Sequence, residues 1–178
     1  MNIQALPVRV LFQDEARFGR LSDSRRCWAP RPLRPQVGLA LVREYTYAFG
    51  AVSPADGKLD WMLTGKSDTL NMNAFLLHVR QQHPGEFLVM VLDGAPSHRA
   101  ADLCIPDSMA LLRLPPYSPE LNSAEMLWDH LREKEFANRV FDSLGAAIAQ
   151  AAKGLVALGQ DSNMLRQMTR RDWLFRST

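Results

Sequence analysis

Apolar positions along this chain change their period several times, and each change marks an element. Val8-Arg-Val-Leu-Phe12 is rich in β-formers and ends at Gln13-Asp14-Glu15, which predicts a strand delivering an acid at its C-terminal edge. An Arg- and Pro-rich loop follows over about 17 to 38. Tyr45-Thr-Tyr-Ala-Phe-Gly-Ala-Val52 and Lys58-Leu-Asp-Trp-Met-Leu63 flank Ser53-Pro-Ala-Asp-Gly57, whose Pro, Asp and Gly favour a turn, so the pair predicts a β-hairpin. Phe75, Leu76 and Val79 recur at helical spacing, with Asn71 as the cap of a helix reaching about Gln82. Phe87-Leu-Val-Met-Val-Leu92 is apolar without alternation, as a strand buried on both faces should be, and Asp93-Gly94 stops it. Ala110 to Leu114 is a further short strand, cut off by Pro115-Pro-Tyr-Ser-Pro119. One helix then runs to about Phe136, and an Ala-rich amphipathic one from Ser143 to about Leu158.

The order β, β-hairpin, α, β, short α, β, α, α predicts an α/β fold: a mixed sheet with helices on both faces. Parallel neighbours in such a sheet bring their C-terminal ends to one rim. Asp14 and Asp93 sit side by side there if the first strand and the Phe87 strand are neighbours. The chain has 178 residues, 47% of them apolar, enough for one substantial core and short for two, so a single domain is expected. Neither an internal repeat nor a low-complexity linker interrupts it.

Charge adds a local asymmetry that the net +2 conceals. Arg9, Arg17, Arg20, Arg25, Arg26, Arg31, Arg34 and Arg43 face only Asp14, Glu15 and Asp23 over residues 9 to 43, an arginine bias suited to phosphate forks but equally to a soluble loop. Cys27 and Cys104 lack CxxC spacing and a His cluster, which argues against zinc or a disulfide framework; both are expected to be reduced thiols, one of them buried. No charged and apolar leader opens the chain, and its longest strongly apolar run, Phe87 to Leu92, is far too short to cross a bilayer. A cytoplasmic protein without a membrane partner is the expectation.

Three carboxylates sit where apolar runs give way to turns or helix starts. Asp14 has Glu15 beside it, and strand alternation lets only one of them face a shared site. Asp93 opens Asp93-Gly-Ala-Pro-Ser-His98; Asp-Gly is also a tight-turn pair that needs no function. Glu125 lies three residues after Asn122, a spacing that resembles a helix capping box, and Ser118-Pro119 fits a cap with a first-turn proline. Glu120 and Asp129 are rival acids, and Trp128 and Leu131 read as core contacts. Acids gathered at one sheet rim suit divalent metals and phosphodiester chemistry.

Three segments together resemble a known family. Phe12-Gln-Asp-Glu-Ala-Arg-Phe-Gly19 with Arg26-Cys-Trp28-Ala-Pro, then Leu92-Asp-Gly-Ala-Pro-Ser-His98, then Leu114-Pro-Pro-Tyr-Ser-Pro-Glu-Leu-Asn-Ser-Ala-Glu125-Met-Leu-Trp128-Asp-His-Leu-Arg132 resemble the catalytic domain of bacterial insertion-sequence transposases of the mariner-like superfamily. The resemblance runs from about Val8 to Leu158, with residues 159–178 as a helical extension. It implies an RNase H-like five-stranded sheet and a DDE triad of Asp14, Asp93 and Glu125. The 31 residues between Asp93 and Glu125 are of the family's kind, and the family's pattern selects Glu125 over Glu120 and Asp129. Ser123-Ala124 stands where Pro-Ile is usual, and Arg132 where Lys is common; neither change removes a metal ligand.

The resemblance further implies two Mg²⁺ or Mn²⁺ ions on the triad. Ions about 3.5 to 4 Å apart require all three carboxyl groups to converge. It also implies cleavage and strand transfer on double-stranded DNA, element ends and a TA-type target, by a homodimer in the active complex. Arg17, Arg20, Arg25, Arg26, His98 and Arg132 are the candidate DNA contacts. Family members usually carry an N-terminal helix-turn-helix region, and this chain begins almost at its first strand, so weak DNA binding with little sequence preference is expected. The competing readings are an inactive transposase remnant that only binds DNA or subunits, and another RNase H-like nuclease such as a junction resolvase or an RNA-hybrid hydrolase.

Overall fold

The computed structural model describes residues 6–21, 24–94, 102–171 and 174. In chain order the elements are β1 (Val8–Gly19), β2 (Tyr45–Val52), β3 (Leu59–Thr64), α1 (Thr69–Gln82), β4 (Phe87–Leu92), β5 (Met109–Arg113), α2 (Glu125–Leu131), α3 (Leu144–Gln160) and α4 (Ser162–Thr169). A short 3₁₀ turn, Pro119–Leu121, precedes α2, and a π-helical turn, Arg132–Phe136, prolongs it. The sheet runs β3-β2-β1-β4-β5: β1 pairs antiparallel with β2 and parallel with β4, β2 antiparallel with β3, and β4 parallel with β5. This is the mixed five-stranded sheet read from the element order.

Alternation along β1 divides the core in two. Leu11 faces α1 and joins Phe49, Leu88, Met90 and Leu92 of the sheet with Met72, Phe75, Leu76 and Val79 of the helix. Phe12, Ala16 and Phe18 face the other way, onto Leu127, Trp128 and Leu131 of α2 and Ala147, Ala151 and Leu155 of α3. Residues at i and i+2 of a strand share a face, so one strand supplies both cores. Helices therefore cover both faces, as the order of elements required.

The structure corrects several sequence-based expectations. Strand β1 does not end at the Gln13-Asp14-Glu15 acids but continues to Gly19, because β2 pairs with it from Phe12↔Val52 to Gly19↔Tyr45. The polar triplet breaks the apolar pattern without breaking the strand: backbone pairing to β2 sustains it, and the arginine-rich loop begins only afterwards. Helix α1 is capped by Asp68, whose Oδ1 accepts from the Asn71 backbone N–H at 3.0 Å, so Asn71 lies inside the first turn. Glu125 is itself the first residue of α2, which leaves no capping box. Both Cys27 and Cys104 are exposed. The short helix expected after Asp93 falls on residues 95–101, outside the described residues. Ser143 caps α3 as expected, accepting from the Ala146 N–H at 3.1 Å. Among the described residues, no helix is long and apolar enough to cross a membrane.

Helix α1 is held by its apolar stripe, and Phe75, fully buried, meets Phe49 of β2 with ring centroids 5.6 Å apart. Phe75→Ala should cost ~3 to 5 kcal/mol of unfolding free energy by denaturant titration, the range for a truncated core aromatic. Leu77→Ala, on the exposed side of the same helix, should stay within about 0.5 kcal/mol of the parent.

Candidate active site

The parallel pairing of β1 and β4 ends at Phe12↔Val91, two residues that belong to the same core, on the α2 and α3 side. Two positions further along each chain come Asp14 and Asp93. Strand alternation puts both on that same side, and parallel direction puts both at one rim. The neighbour relation on which their proximity depended is therefore met.

Glu125 comes to this rim through Asn122, which is buried. The Asn122 side-chain N–H₂ donates to the Gln13 backbone carbonyl at 3.0 Å, and its Oδ1 accepts from the Ala124 N–H at 3.1 Å. One side chain thus ties the start of α2 to the residue of β1 that precedes Asp14. The Pro119–Leu121 turn, with Pro119 at its first position, brings the chain into this tie. One helical turn past Glu125, the Trp128 indole Nε1–H donates to Asp14 Oδ2 at 2.9 Å. Trp128 is buried and lies over Gly50, the residue opposite Asp14 on β2. A Cβ on residue 50 would come within 2.8 Å of the indole, so only glycine lets the ring approach the sheet this closely.

The rim is electrostatically strained. Asp14 is 8% exposed, and its carboxyl is pushed up to about 8, first by burial and then by the nearby Glu125 charge; the Glu15 backbone N–H and the Trp128 indole oppose the rise. Glu125 is also raised, by burial first; Arg132 opposes this, while Asp129 and Asp93 add to it. Asp93 and Glu125 line one cavity of about 610 Å³, walled by Leu114 to Pro119 and Asn122. Asp14 does not line it: its carboxyl accepts from the Trp128 indole. Among the described residues, no group of three or more His, Cys, Asp or Glu stands close enough to hold a metal ion. The geometry brings Asp93 and Glu125 to one cavity and couples Asp14 to Glu125 through charge.

The rival acids lie elsewhere: Glu120 and Asp129 are exposed, and Glu15 alternates to the opposite face. Among the arginines, Arg20 is committed, donating from Nη1 to Glu44 at 2.9 Å and from Nε to the Phe141 carbonyl at 3.0 Å. Arg25 and Arg26 are exposed on the long loop, where the Arg25 backbone N–H donates to Asn138 Oδ1 at 2.9 Å. Arg17 lies over the Tyr45 ring, 4.2 Å from its centroid, and Arg132 is half-buried near Asp129 and the Phe18 ring. His98 lies outside the described residues. Sequence reasoning missed Asn122 and Gly50 as organisers and took Trp128 for core alone. The Asn122-to-Glu125 spacing was visible, but its capping-box meaning concealed the tie to β1.

Residues 9–147 match the family model described as DDE superfamily endonuclease. A Sinorhizobium fredii (strain NBRC 101917 / NGR234) protein, y4pE/y4sA, itself uncharacterized, is 31% identical over 134 residues, which are 75% of this chain and 99% of that protein. The solved mariner Mos1 paired-end complex with Mg is similar in fold, with a TM-score of 0.62, 16% identity, and coverage of 90% of this chain and 53% of that one. A Mos1 transposase paired-end complex with the left transposon end has a TM-score of 0.57 at 14% identity, covering 90% and 55%. The chain spans about half the length of these Mos1 chains. Its sheet order, the two helical layers and these likenesses define an RNase H-like fold, and the family match, spanning all three rim acids, places the chain among the DDE superfamily endonucleases.

Proposed function

We propose that this chain is the catalytic domain of an insertion-sequence transposase, which cleaves DNA at the element's ends and joins them to target DNA, with Asp14, Asp93 and Glu125 as its metal-binding triad. The observation that carries the reading is the placement of Asp93 and Glu125 on one cavity, with Asp14 level with Asp93 on the adjacent parallel strand and electrostatically coupled to Glu125. The donor set suits the chemistry. Three carboxylates are hard oxygen ligands of the kind Mg²⁺ and Mn²⁺ prefer, and no described Cys or His lines the cavity to favour a softer metal. Two such ions, when bound, activate the attacking oxygen and stabilise the leaving oxygen of an in-line displacement.

The chain's own residues do the rest of the work in this reading. Asn122 and Trp128 hold α2 against β1, so that Glu125 and Asp14 keep a fixed relation. The Trp128 indole orients the Asp14 carboxylate, as outer hydrogen bonds orient metal ligands generally. The proline-rich wall from Leu114 to Pro119 gives the cavity a rigid side. The core spans about 8–158 as one domain. In this reading the active complex is a homodimer that joins element ends to target DNA at TA, as the family resemblance implies.

The direct test supplies Mg²⁺ or Mn²⁺ and a terminal-repeat duplex to the parent and to Asp93→Asn. Nicking should fall by about a hundredfold or more in the variant, ~3 kcal/mol of lost transition-state stabilisation. Equal nicking by both proteins refutes the triad.

Trp128→Phe removes the indole donor and keeps an aromatic ring. The concentration of Mn²⁺ required for half-maximal activity should rise by about tenfold or more, as for other losses of a ligand's hydrogen-bonded support. An unchanged Mn²⁺ requirement would show that the indole does not orient Asp14 for the metal.

The raised Asp14 carboxyl also fixes a sign for stability. Its folded-state value, about 8, lies above the ordinary carboxyl value of 3.8, so the folded protein holds that proton more tightly than the unfolded chain. The stability contributed by the protonated acid is complete below about pH 4 and is lost as pH rises through about 8. Relative to Asp14→Asn, the metal-free parent should therefore lose melting temperature between pH 5 and 8.5, and added Mn²⁺ should restore it at the alkaline end. A pH-independent difference between the two proteins contradicts the assignment, and absence of any Mn²⁺ effect favours an inactive remnant.

A further inference from the structure

A second, smaller cleft of about 300 Å³ lies at the far end of β1, bordered by Arg17, Phe18, Tyr45, Arg132 and Phe136. Its two cations reach it from different elements. Arg17 is on β1, three residues past Asp14, and Arg132 begins the π-helical turn that prolongs α2, seven residues past Glu125. Strand alternation sends Arg17 to the face opposite Phe18, so the cleft has one guanidinium on each side of the β1 backbone. Among the described residues, the parallel pairing of β1 with β4 ends at Phe12.

What sets Arg17 apart is how it is held. Arg9 and Arg20 are consumed by protein acceptors: Arg9 by Asp56 at 2.7 Å and Glu86 at 2.6 Å, Arg20 by Glu44 and the Phe141 carbonyl. Arg17 instead lies flat over Tyr45, and among the described residues no carboxylate or carbonyl takes up its N–H groups. Stacking fixes the plane of a guanidinium while leaving its donor fork open, which lowers the entropy lost when an anion arrives. Arg132 has Asp129 only at 3.7 Å, a distance that leaves its donors available, and its side chain is 35% exposed. The rings of Phe18, Tyr45 and Phe136 line the cleft beside the two guanidinium groups.

We propose that this cleft is a binding site for a nucleic-acid backbone phosphodiester, gripped by Arg17 and Arg132 and aligning the strand that enters the acidic cavity. The proposal rests on the reading that the cavity acts on DNA, and it adds a point outside the cavity at which the strand is held. Three strand residues span about 10 Å. That distance is about three nucleotides of rise along one strand, so the gripped phosphate is close to, but not at, the reacting one. Arg132 lines the cleft, and its charge also opposes the rise in the Glu125 carboxyl.

The test measures binding alone. Fluorescence anisotropy of a labelled duplex of about 20 base pairs, with EDTA present so that no chemistry occurs, is followed from about 50 to 200 mM salt for the parent, Arg17→Ala, Arg132→Ala and the double variant. Each lost phosphate contact should flatten the logarithmic salt dependence by about 0.9, so the parent's advantage over each single variant should shrink about threefold across that range, and over the double variant on the order of tenfold. Melting temperatures report folding, and Lys153→Ala on the exposed side of α3 reports the effect of net charge alone. Unchanged salt slopes in the folded arginine variants overturn the proposal, as do equal slope changes in Lys153→Ala, or a parent that binds no duplex. Because Asp93→Asn is read by nicking and these variants by metal-free binding, failure of the triad and failure of the cleft are told apart.

Discussion

The site depends on one contact between a helix and a strand: the indole N–H of Trp128 on the carboxylate of Asp14. A carboxylate 8% exposed in the middle of a sheet is costly unless something donates to it, and a Trp donor is costly to bury unless something accepts. Each group answers the other's requirement, and the pair locks α2 over β1 at a fixed rotation. Asn122 makes the same connection a second time, through the Gln13 carbonyl, so the helix start and its first turn are both referenced to the same strand. Gly50 is the concession that permits it, since any side chain there would lift the ring.

This arrangement places ionisable acids where burial and like charge both oppose their ionisation. Burial first, and neighbouring negative charge after it, raises Asp14 and Glu125 at the rim. Such clustering is unexplained by packing: apolar residues at these positions would extend the core.

The arginines divide into two populations by what their donors meet. Arg9 bridges the hairpin turn and the segment before β4 through Asp56 and Glu86, and Arg20 closes the end of β1 onto Glu44; both are mortar in the fold. Arg17 is oriented by a ring, and among the described residues no acid pairs with it. Sequence proximity does not distinguish Arg17, on β1, from Arg20, three residues on and just past the strand's end. Their partners, contributed by residues 44, 45 and 141, do.

Much of the architecture was legible in the chain. The unbroken apolar run at Phe87 to Leu92 marked a strand with covered faces, the hairpin announced itself by Ser53 to Gly57, and the spacing of Phe75, Leu76 and Val79 marked the helix that packs on them, because burial imposes period 2 or 3.6 wherever one face meets a core. The identities of Asp14, Asp93 and Glu125 as candidates were likewise written in three motifs. Tertiary structure decided what periodicity cannot encode. Strand β1 outlasts its polar triplet because β2 supplies partners for its backbone, and Asp14 consequently lies inside a strand instead of at its tip. Asn122 serves β1 instead of capping a helix, both cysteines are exposed, and Trp128 is a donor as well as a core residue. Local sequence specifies which face of an element is apolar; which polar atom meets which across 109 or 114 residues of chain is settled only when the layers pack, since a hydrogen bond depends on position to within a few tenths of an ångström.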